Sequence, residues 1–587
     1  MKLHKILTLL LLPGLLLSAC SLLEPEDDNH GTFDRVYREP AYGEGLLIRA
    51  YTLLPTNDLW WDDVATDNAV TVDKNSNYAR MATGEWSAIF DPQSLWVNSY
   101  TAISYVNLFL TVVDSIDWRW SDKSMDLMFE RRLKGEAYAM RGLFKYYLLR
   151  NHAGLGPNND LLGTPIYDEF FKSDEEFFKP RATFADCVAS ANADFDKAMQ
   201  LLPPDFGNLA SLSNLPAGFS EITDISKYNT VFGDNQLQRI TGRIAKAYKA
   251  KLALLAASPA FNQSDNTALW QSAATLNGEL LADIGGVSGL DPKGHIYYLK
   301  AQVDEALLTS GDKKDLKEIL WRRPITSNST REQYCFPPSL YGDGVINPSQ
   351  NLVDAFPMAN GYPISDSKSN YNPATPYTGR DPRFALYIVY NGSSLRSTTI
   401  KTSVGGGVDG LEASSSSTRT GYYLKKHVRE DVNVNPSSVS TQQHYITHVR
   451  YTEIFLNYAE AANEAWGPDG KGTFAFSARE VIAAIRKRAG ITQPDAFLAT
   501  ITDKTQMRAL IKNERRLELC FEDSRFWDLR RWKEDLTTPA KGVKIEGTTY
   551  TYFTVENRLY DNSYMHYGPV PDAYITKFNL VQNKGWN

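Results

Sequence analysis

The chain has little cysteine: four in 587 residues, and only Cys187, Cys335 and Cys520 follow Cys20. Three thiols in so long a chain do not make a disulfide framework. Cys187 and Cys520 fall within helical patterns and read as small core residues. A basic surplus is also missing. The formal net charge is −7, so no cationic footprint exists to neutralise phosphates, and nucleic acid is excluded as a partner. That net charge does not favour an acidic polymer as ligand either. No segment beyond the N-terminus is apolar enough for a transmembrane helix. There is no Gly-x-Ser-x-Gly, no phosphate loop and no Gly-x-Gly-x-x-Gly. The carboxylates near Asp62 are compatible with a calcium ion, but they lack the EF-hand spacing and do not predict one. His444-x3-His448 would set two imidazoles on one helical face, yet without a third ligand zinc is not expected. No cofactor is predicted.

What is present begins with a globular composition, 43% hydrophobic and 22% charged. Aromatic residues reach 12%, with 32 Tyr and 12 Trp, either as core or as flat faces for a ligand. Lys2 and Lys5 precede an apolar run from Ile6 to Leu17, too short to span a bilayer. It ends Leu17-Ser18-Ala19-Cys20, the pattern of a bacterial lipobox. Residues 1–19 are therefore expected to be a signal peptide, with Cys20 acylated and the protein exported and anchored there. Residues 20–31 carry Glu24, Glu26, Asp27 and Asp28 and read as an acidic tether.

Helical periodicity dominates residues 32–260. Leu95 to Val113, Leu133 to Tyr147, Cys187 to Leu202 and Ile244 to Ala257 each show apolar residues at spacings of three and four. Thr183 is placed to cap the third, Pro203-Pro204 to stop it, and Ser258-Pro259 to stop the fourth. Residues 261–444 are richer in Gly, Ser, Asn and Pro, with short strand-like runs at Phe384–Tyr390 and Tyr422–Lys425. They read as a loop-rich region, where loops carry function. Helices return in 445–587, with Ser477-Ala478-Arg479-Glu480 as a capping box, and the tail after Trp532 reads as irregular. The fold class expected is mostly α: tetratricopeptide-like helix pairs, with the regions of 32–587 packed as one unit. No clean repeat period supports the pairs on its own.

One stretch concentrates charge among aromatics. Residues 513–532 hold five arginines and the carboxylates Glu514, Glu518, Glu522, Asp523 and Asp528, interleaved with Leu517, Phe521, Phe526, Trp527 and Trp532. Long charged side chains are seldom buried unless paired, so this mixture points to paired charges in a packed interface rather than a solvated face.

The same stretch resembles the C-terminal signature of the SusD/RagB family, surface glycan-binding lipoproteins of Bacteroidetes. Further matches follow in the family's order. They include Trp96-x3-Tyr100-x2-Ile103-x3-Asn107, Gly135-Glu136-Ala137, Ser258-Pro259-Ala260-Phe261-Asn262, Pro348-Ser349-Gln350-Asn351, Arg380-Asp381-Pro382-Arg383-Phe384, Arg486-Lys487-Arg488-Ala489-Gly490 and Gln582-Asn583-x-Gly585-Trp586. One departure is Cys520-Phe521-Glu522-Asp523, where the family usually has a small residue followed by Glu-Gly; Asp523 still tolerates the positive φ of such a turn. The resemblance implies a helical scaffold of four tetratricopeptide-like pairs and a variable region bearing the ligand site. It also implies a place on the outer-membrane surface, facing the cell exterior, and partnership with a SusC-like TonB-dependent transporter. The implied function is capture of an oligosaccharide or polysaccharide, without catalysis. A peptide or other nutrient is the alternative cargo, and a surface hydrolase ranks last.

Sugar binding needs rings to cover pyranose faces and polar side chains for the hydroxyls. Two stretches carry that mixture. Asn57 to Trp86 supplies the candidates Trp60, Trp61, Asp63, Asp67, Tyr78, Arg80 and Trp86; Trp321 to Tyr341 supplies Trp321, Tyr334 and Tyr341. Arg380 and Tyr390 are added as weaker candidates. Against these stands the plain reading of the tryptophans as core. Glu514, Arg515, Glu518, Arg525, Asp528 and Arg531 are expected to lock helices together instead of touching ligand.

Overall fold

The computed structural model describes residues 39–56, 61–119, 121–310 and 316–586. The signal peptide, Cys20, the acidic tether and Trp60 lie outside the described residues. The helical scaffold begins with α1 (Pro40–Thr52), whose Pro40 occupies the first turn, where no amide partner is needed. It continues through α2 (Trp96–Val112), α3 (Lys123–His152), α4 (Phe184–Leu201), α5 (Gly242–Ala257) and α6 (Thr267–Ala282). It resumes with α7 (Tyr451–Trp466), α8 (Ala478–Arg488), α9 (Lys504–Glu518) and α10 (Arg525–Trp532). Side-chain caps fix most starts. Asp122, Thr183, Thr241, Asn266 and Asp503 accept from the first-turn amides of α3, α4, α5, α6 and α9, and Ser477 and Glu480 form the reciprocal capping box of α8. From α1 to α7 each helix packs on the next in this series, and α7 also packs on α8 and α9. Packing that runs from each helix to the next, with a second contact to the helix beyond, is the mark of a solenoid, here a tetratricopeptide-like one. The approach of α3 to α4 depends on Gly142: a Cβ there would sit 2.9 Å from the Phe195 ring.

The chain leaves this array after α6 and rejoins it at α7, although α6 and α7 pack directly together. The helical pattern thus runs further than Ala260: α6 lies within the compositionally loop-rich 261–444 but buries Trp270, Ala273, Ala274, Leu280 and Leu281 as scaffold. The excursion is stitched by short antiparallel pairs. Ala69–Thr71 pairs with Ile346–Pro348, Thr326–Asn328 with Gln442–His444, Ile319–Arg322 with Thr447–Arg450, and Ile388–Val389 with Tyr423–Leu424. Within the strand-like run 384–390 only Ile388–Val389 is strand. Pro382–Tyr387 is helical, because Asp381 caps it and Pro382 takes its first position. His444 and His448 lie on successive strands, not one helical face. His444 Nε2 is 3.0 Å from Glu332, and the His448 ring lies 4.4 Å from Trp321. The tail is more regular than composition suggests: Ala540–Glu546 and Thr549–Glu556 form a hairpin, with Gly547 at φ 60° in its turn.

The charged stretch 513–532 is largely buried and, Arg530 aside, its arginines are paired. Arg383, wholly enclosed, donates to Asp381 at 2.6 Å, Glu514 at 2.9 Å and Glu518 at 3.0 Å. Arg486 reaches Glu514 at 2.9 Å and Arg488 reaches Glu518 at 2.9 Å. Arg531 binds Glu460 at 2.7 Å, and Arg515 binds Asp528 at 3.1 Å. These charge-assisted bonds join α7, α8, α9 and α10 to the 381–383 turn, so the expected lock is present.

Candidate functional site

A polar crevice opens where α3, α5 and α7 meet the Thr447–Arg450 strand and the 519–524 turn. Its volume is about 110 Å³. A second cavity of about 60 Å³ shares Arg150, Lys251, Glu453, Asp523 and Ser524 with it. A groove of about 320 Å³, lined by Trp321, Tyr51 and Gln238, shares Thr56, Arg323 and His448 with the crevice. These spaces are continuous in their walls.

The walls are built from fixed groups. Arg450 donates to Glu318 at 2.7 Å and to Glu522. Lys251 pairs with Glu453 at 2.8 Å. Arg150 lies 3.8 Å from the face of Trp527, and its nearest carboxylate oxygen, on Asp523, is 3.6 Å away. Phenols of Tyr147, Tyr297 and Tyr445 complete the lining. Tyr147 and Tyr248 share a hydrogen bond of 3.2 Å, and Tyr297 meets Thr447 at 3.3 Å. Burial, aided by Asp523 and Asp63, pushes the Asp62 carboxyl well up. Burial also drives His427 well down, assisted by the cations Lys426, Arg331 and Arg450. The crevice therefore presents guanidinium, carboxylate and phenol groups. That inventory can take ligand hydroxyls from several sides.

The expected contact residues divide among several places. Trp61 opens the short helix Trp61–Val64. Asp63 is enclosed and accepts from Asn68 at 2.8 Å and from the Phe521 amide at 2.9 Å, pinning the 519–524 turn. Asp67 binds Arg516 at 2.8 Å and Arg525 at 2.9 Å; burial opposes its ionisation, but the two guanidiniums hold it well below the carboxylate range. Trp86 packs edge-on against Trp586, Phe526 and Tyr560 and donates to Asp91 at 3.0 Å. Tyr78 donates to the Pro92 carbonyl at 3.3 Å, and Arg80 pairs with Glu85 on the surface. Arg380 is buried and gives its guanidinium to the carbonyls of Pro376, Val353 and Phe356. Tyr334 is half-buried in the core of the loop-rich part. Tyr341 is 55% exposed in a left-handed backbone conformation.

Two candidates border surface features, though Trp321 keeps only 3% of its surface exposed. Trp321 walls the groove, donating to the Gln238 carbonyl at 3.2 Å. Tyr390 stacks on Phe384 at 4.9 Å and lies 4.7 Å from Tyr377, which meets Tyr550 at 5.9 Å. With Tyr371 and the 47% exposed Tyr552 they form a tyrosine surface on the loop-rich face. Sequence reasoning missed the crevice's helical side chains Tyr147, Arg150, Lys251 and Glu453. A signal was present: Tyr147/Arg150 and Tyr248/Lys251 place a cation three residues after a tyrosine, on two otherwise apolar helix faces.

Residues 317–586 match the model of the SusD family, and residues 52–217 match a SusD-like model described as starch-binding associating with outer membrane. Together the matches span well over half the chain. The chain belongs to the SusD/RagB family. Solved structures carry the fold alone at these identities. A SusD-like protein from Bacteroides fragilis is 21% identical, covering 94% of this chain and 98% of its own, with a TM-score of 0.71. A SusD-like carbohydrate-binding protein from the same species is 20% identical, covering 92% and 99%, with a TM-score of 0.67. A SusD superfamily protein from Bacteroides vulgatus is 17% identical, covering 93% and 99%, with a TM-score of 0.61. No functionally curated protein is similar enough in sequence to join this set.

Proposed function

We propose that this SusD/RagB protein is a cell-surface lipoprotein that captures an oligosaccharide or polysaccharide and passes it, uncut, to a SusC-like TonB-dependent transporter. The observation that carries the reading is the crevice joined to the Trp321 groove, where phenols, guanidiniums and carboxylates surround a space bordered by a largely buried indole. Stacking on rings and bidentate bonding to vicinal hydroxyls are the two contacts a sugar needs. The tyrosine surface around Tyr390 offers further rings for a longer chain. Acylation of Cys20 holds the protein to the outer membrane, facing outward. Among the described residues no helix is long and apolar enough to cross a membrane. No His, Cys, Asp and Glu group among them is placed to hold a metal ion.

Isothermal titration against a panel of polysaccharides tests the proposal. Saturable binding of one polymer class is expected, with the polymer recovered unchanged in length. Failure to bind any glycan while the protein is folded would count against the reading. Shortened chains after incubation would establish hydrolysis instead.

A further inference from the structure

The 60 Å³ cavity beside the crevice has an unusual electrostatic balance. Most of its charged walls are matched. Lys251 has Glu453 at 2.8 Å, while Arg515 and Arg531 share Asp528 at 3.1 Å and 2.7 Å. Arg530 is the remainder, and Arg150, held by Asp523 at 3.6 Å, faces the same cavity. Arg530 is only 3% exposed and makes no ion pair among the described residues. Its Nε donates to the His566 carbonyl at 3.1 Å, and its Nη1 is buried with no hydrogen-bond partner. It rests against the rings of Trp86, Phe526 and Trp527 at 5.1 to 5.4 Å. Asp91, the carboxylate whose field it feels, accepts from Trp86 Nε1 and the Gln93 amide instead. Arg150 donates to Asn151 at 3.2 Å and keeps a looser ion pair with Asp523 at 3.6 Å. Trp527 meets both guanidiniums.

A buried cation without a partner is costly, and Arg150, repelling Arg530 across the cavity, adds to that cost. Burial, then the repulsion of Arg150 set against the pull of Asp91, leaves Arg530 lowered to about 9. A site-shaped deficit of negative charge asks for an oxyanion. Guanidinium groups are suited to carboxylate and sulfate because their planar N–H forks match two oxygens at once.

We propose that the cavity between Arg150 and Arg530 is an anion subsite and that the glycan delivered to the crevice is acidic, bearing a carboxylate or a sulfate ester on its sugars. This rests on the glycan reading and narrows it. The ligand's oxyanion enters past Asp523, accepts from the free Nη1 of Arg530 and from Arg150, and leaves its sugar ring in the crevice. The overall charge of −7 is no guide here, because the pairing inside one cavity decides what that cavity attracts.

Two measurements test it. Crystals soaked in sodium selenate should show an anomalous peak between the Arg150 and Arg530 guanidiniums, absent in Arg530→Gln; an empty cavity in the wild-type protein overturns the subsite. Isothermal titration then compares oligogalacturonate, its methyl ester and a chondroitin sulfate oligosaccharide. Binding of a charged chain is expected, weakened about tenfold or more by esterification or by the variant. Preference for oligogalacturonate assigns the carboxylate, and preference for chondroitin sulfate assigns the sulfate ester. Neutral chains bound equally by wild type and variant overturn the acidic ligand but leave the glycan reading standing. A selenate peak with no charged chain bound means an adventitious ion only and overturns the assignment. Arg150→Gln, on a less enclosed side chain, repeats both measurements if Arg530→Gln fails to fold.

Discussion

Glu518→Gln probes the lock where it is most concentrated. Glu518 is fully enclosed; its two oxygens accept from Arg383 at 3.0 Å and Arg488 at 2.9 Å, and Arg450 lies 3.8 Å away. The amide removes one negative charge from among three guanidiniums and aims an N–H at another N–H. Arg383 retains Glu514 and Asp381, and Arg450 retains Glu318 and Glu522, so Arg488 loses most. Breaking a buried pair costs about 3–5 kcal/mol, and the surviving partners argue for the lower half of that range. Unfolding entropies near ~2.1 cal/mol/K per residue give a chain of this size about 1.2 kcal/mol per kelvin if it unfolds as one unit. The expected fall in Tm is therefore about 3 °C by differential scanning calorimetry at pH 7. The loss must also depend on pH. Burial opposes ionisation of Glu518, but Arg488, Arg383 and Arg450 hold its carboxyl far below the usual range. Its contribution is present above the unfolded value, about 4.3, and fades as pH falls below it. Wild type and variant should converge in acid. A variant as stable as wild type at pH 7, or a gap that widens in acid, refutes the lock.

Other outcomes follow from the same geometry. Burial pushes Asp91 up to about 6; the folded protein keeps its proton to that pH while the unfolded chain loses it near 3.8, so stability falls by up to ~3 kcal/mol between about pH 4 and 6. Asp91→Asn keeps the acceptor for Trp86 and should melt higher than wild type at pH 8 but not at pH 4.5. Trp86→Ala should cost about 3–5 kcal/mol in denaturant unfolding, as a core deletion. Glu85→Gln, which breaks only the exposed pair with Arg80, should leave Tm unchanged. Tyr552→Ala should weaken polysaccharide binding severalfold without changing Tm if the tyrosine surface receives the chain, a stacking loss of ~1 kcal/mol; unchanged affinity removes that surface from the site.

Local chemistry made much of the scaffold legible. Thr183, Ser477 and Pro203-Pro204 act within a few residues of themselves, and α4 and α8 begin or end where they direct. The turn at 520–523 was also readable. Asp523 adopts φ 56°, and Phe521 is held at φ 58° because its amide donates to buried Asp63. What resisted reading was assembly over distance. Helix α6 has a good apolar face, but nothing near it in sequence shows that its partner is α7, beyond the whole loop-rich excursion. The crevice draws Arg150, Lys251, Arg323, Arg450 and Asp523 from separate segments, so no spacing joins them. Trp86 and Asp67 looked like ligand groups because an aromatic beside a carboxylate suits a sugar, but it suits a buried interface equally well.

The 519–524 turn belongs to both the lock and the crevice, so a charge there that only holds its neighbours still shapes the crevice wall. Glu522 accepts from Lys426 at 2.6 Å and from Arg450 on the crevice wall, while Lys426 also donates to the carbonyls of Glu518 and Cys520 at 2.7 and 2.9 Å. Asp523, next in the chain, faces Arg150 across the cavity. Every main bond that holds this turn comes from a buried partner, so the floor of the crevice cannot shift without breaking charge-assisted bonds worth about 1.5–3 kcal/mol each. A ligand entering such a crevice finds its polar groups already placed, and the entropy of ordering them has been met by folding. On the proposed reading most of the family signature acts on binding at one remove, its carboxylates and guanidiniums setting the positions of groups that line the crevice, while Arg530 alone is placed to meet the ligand.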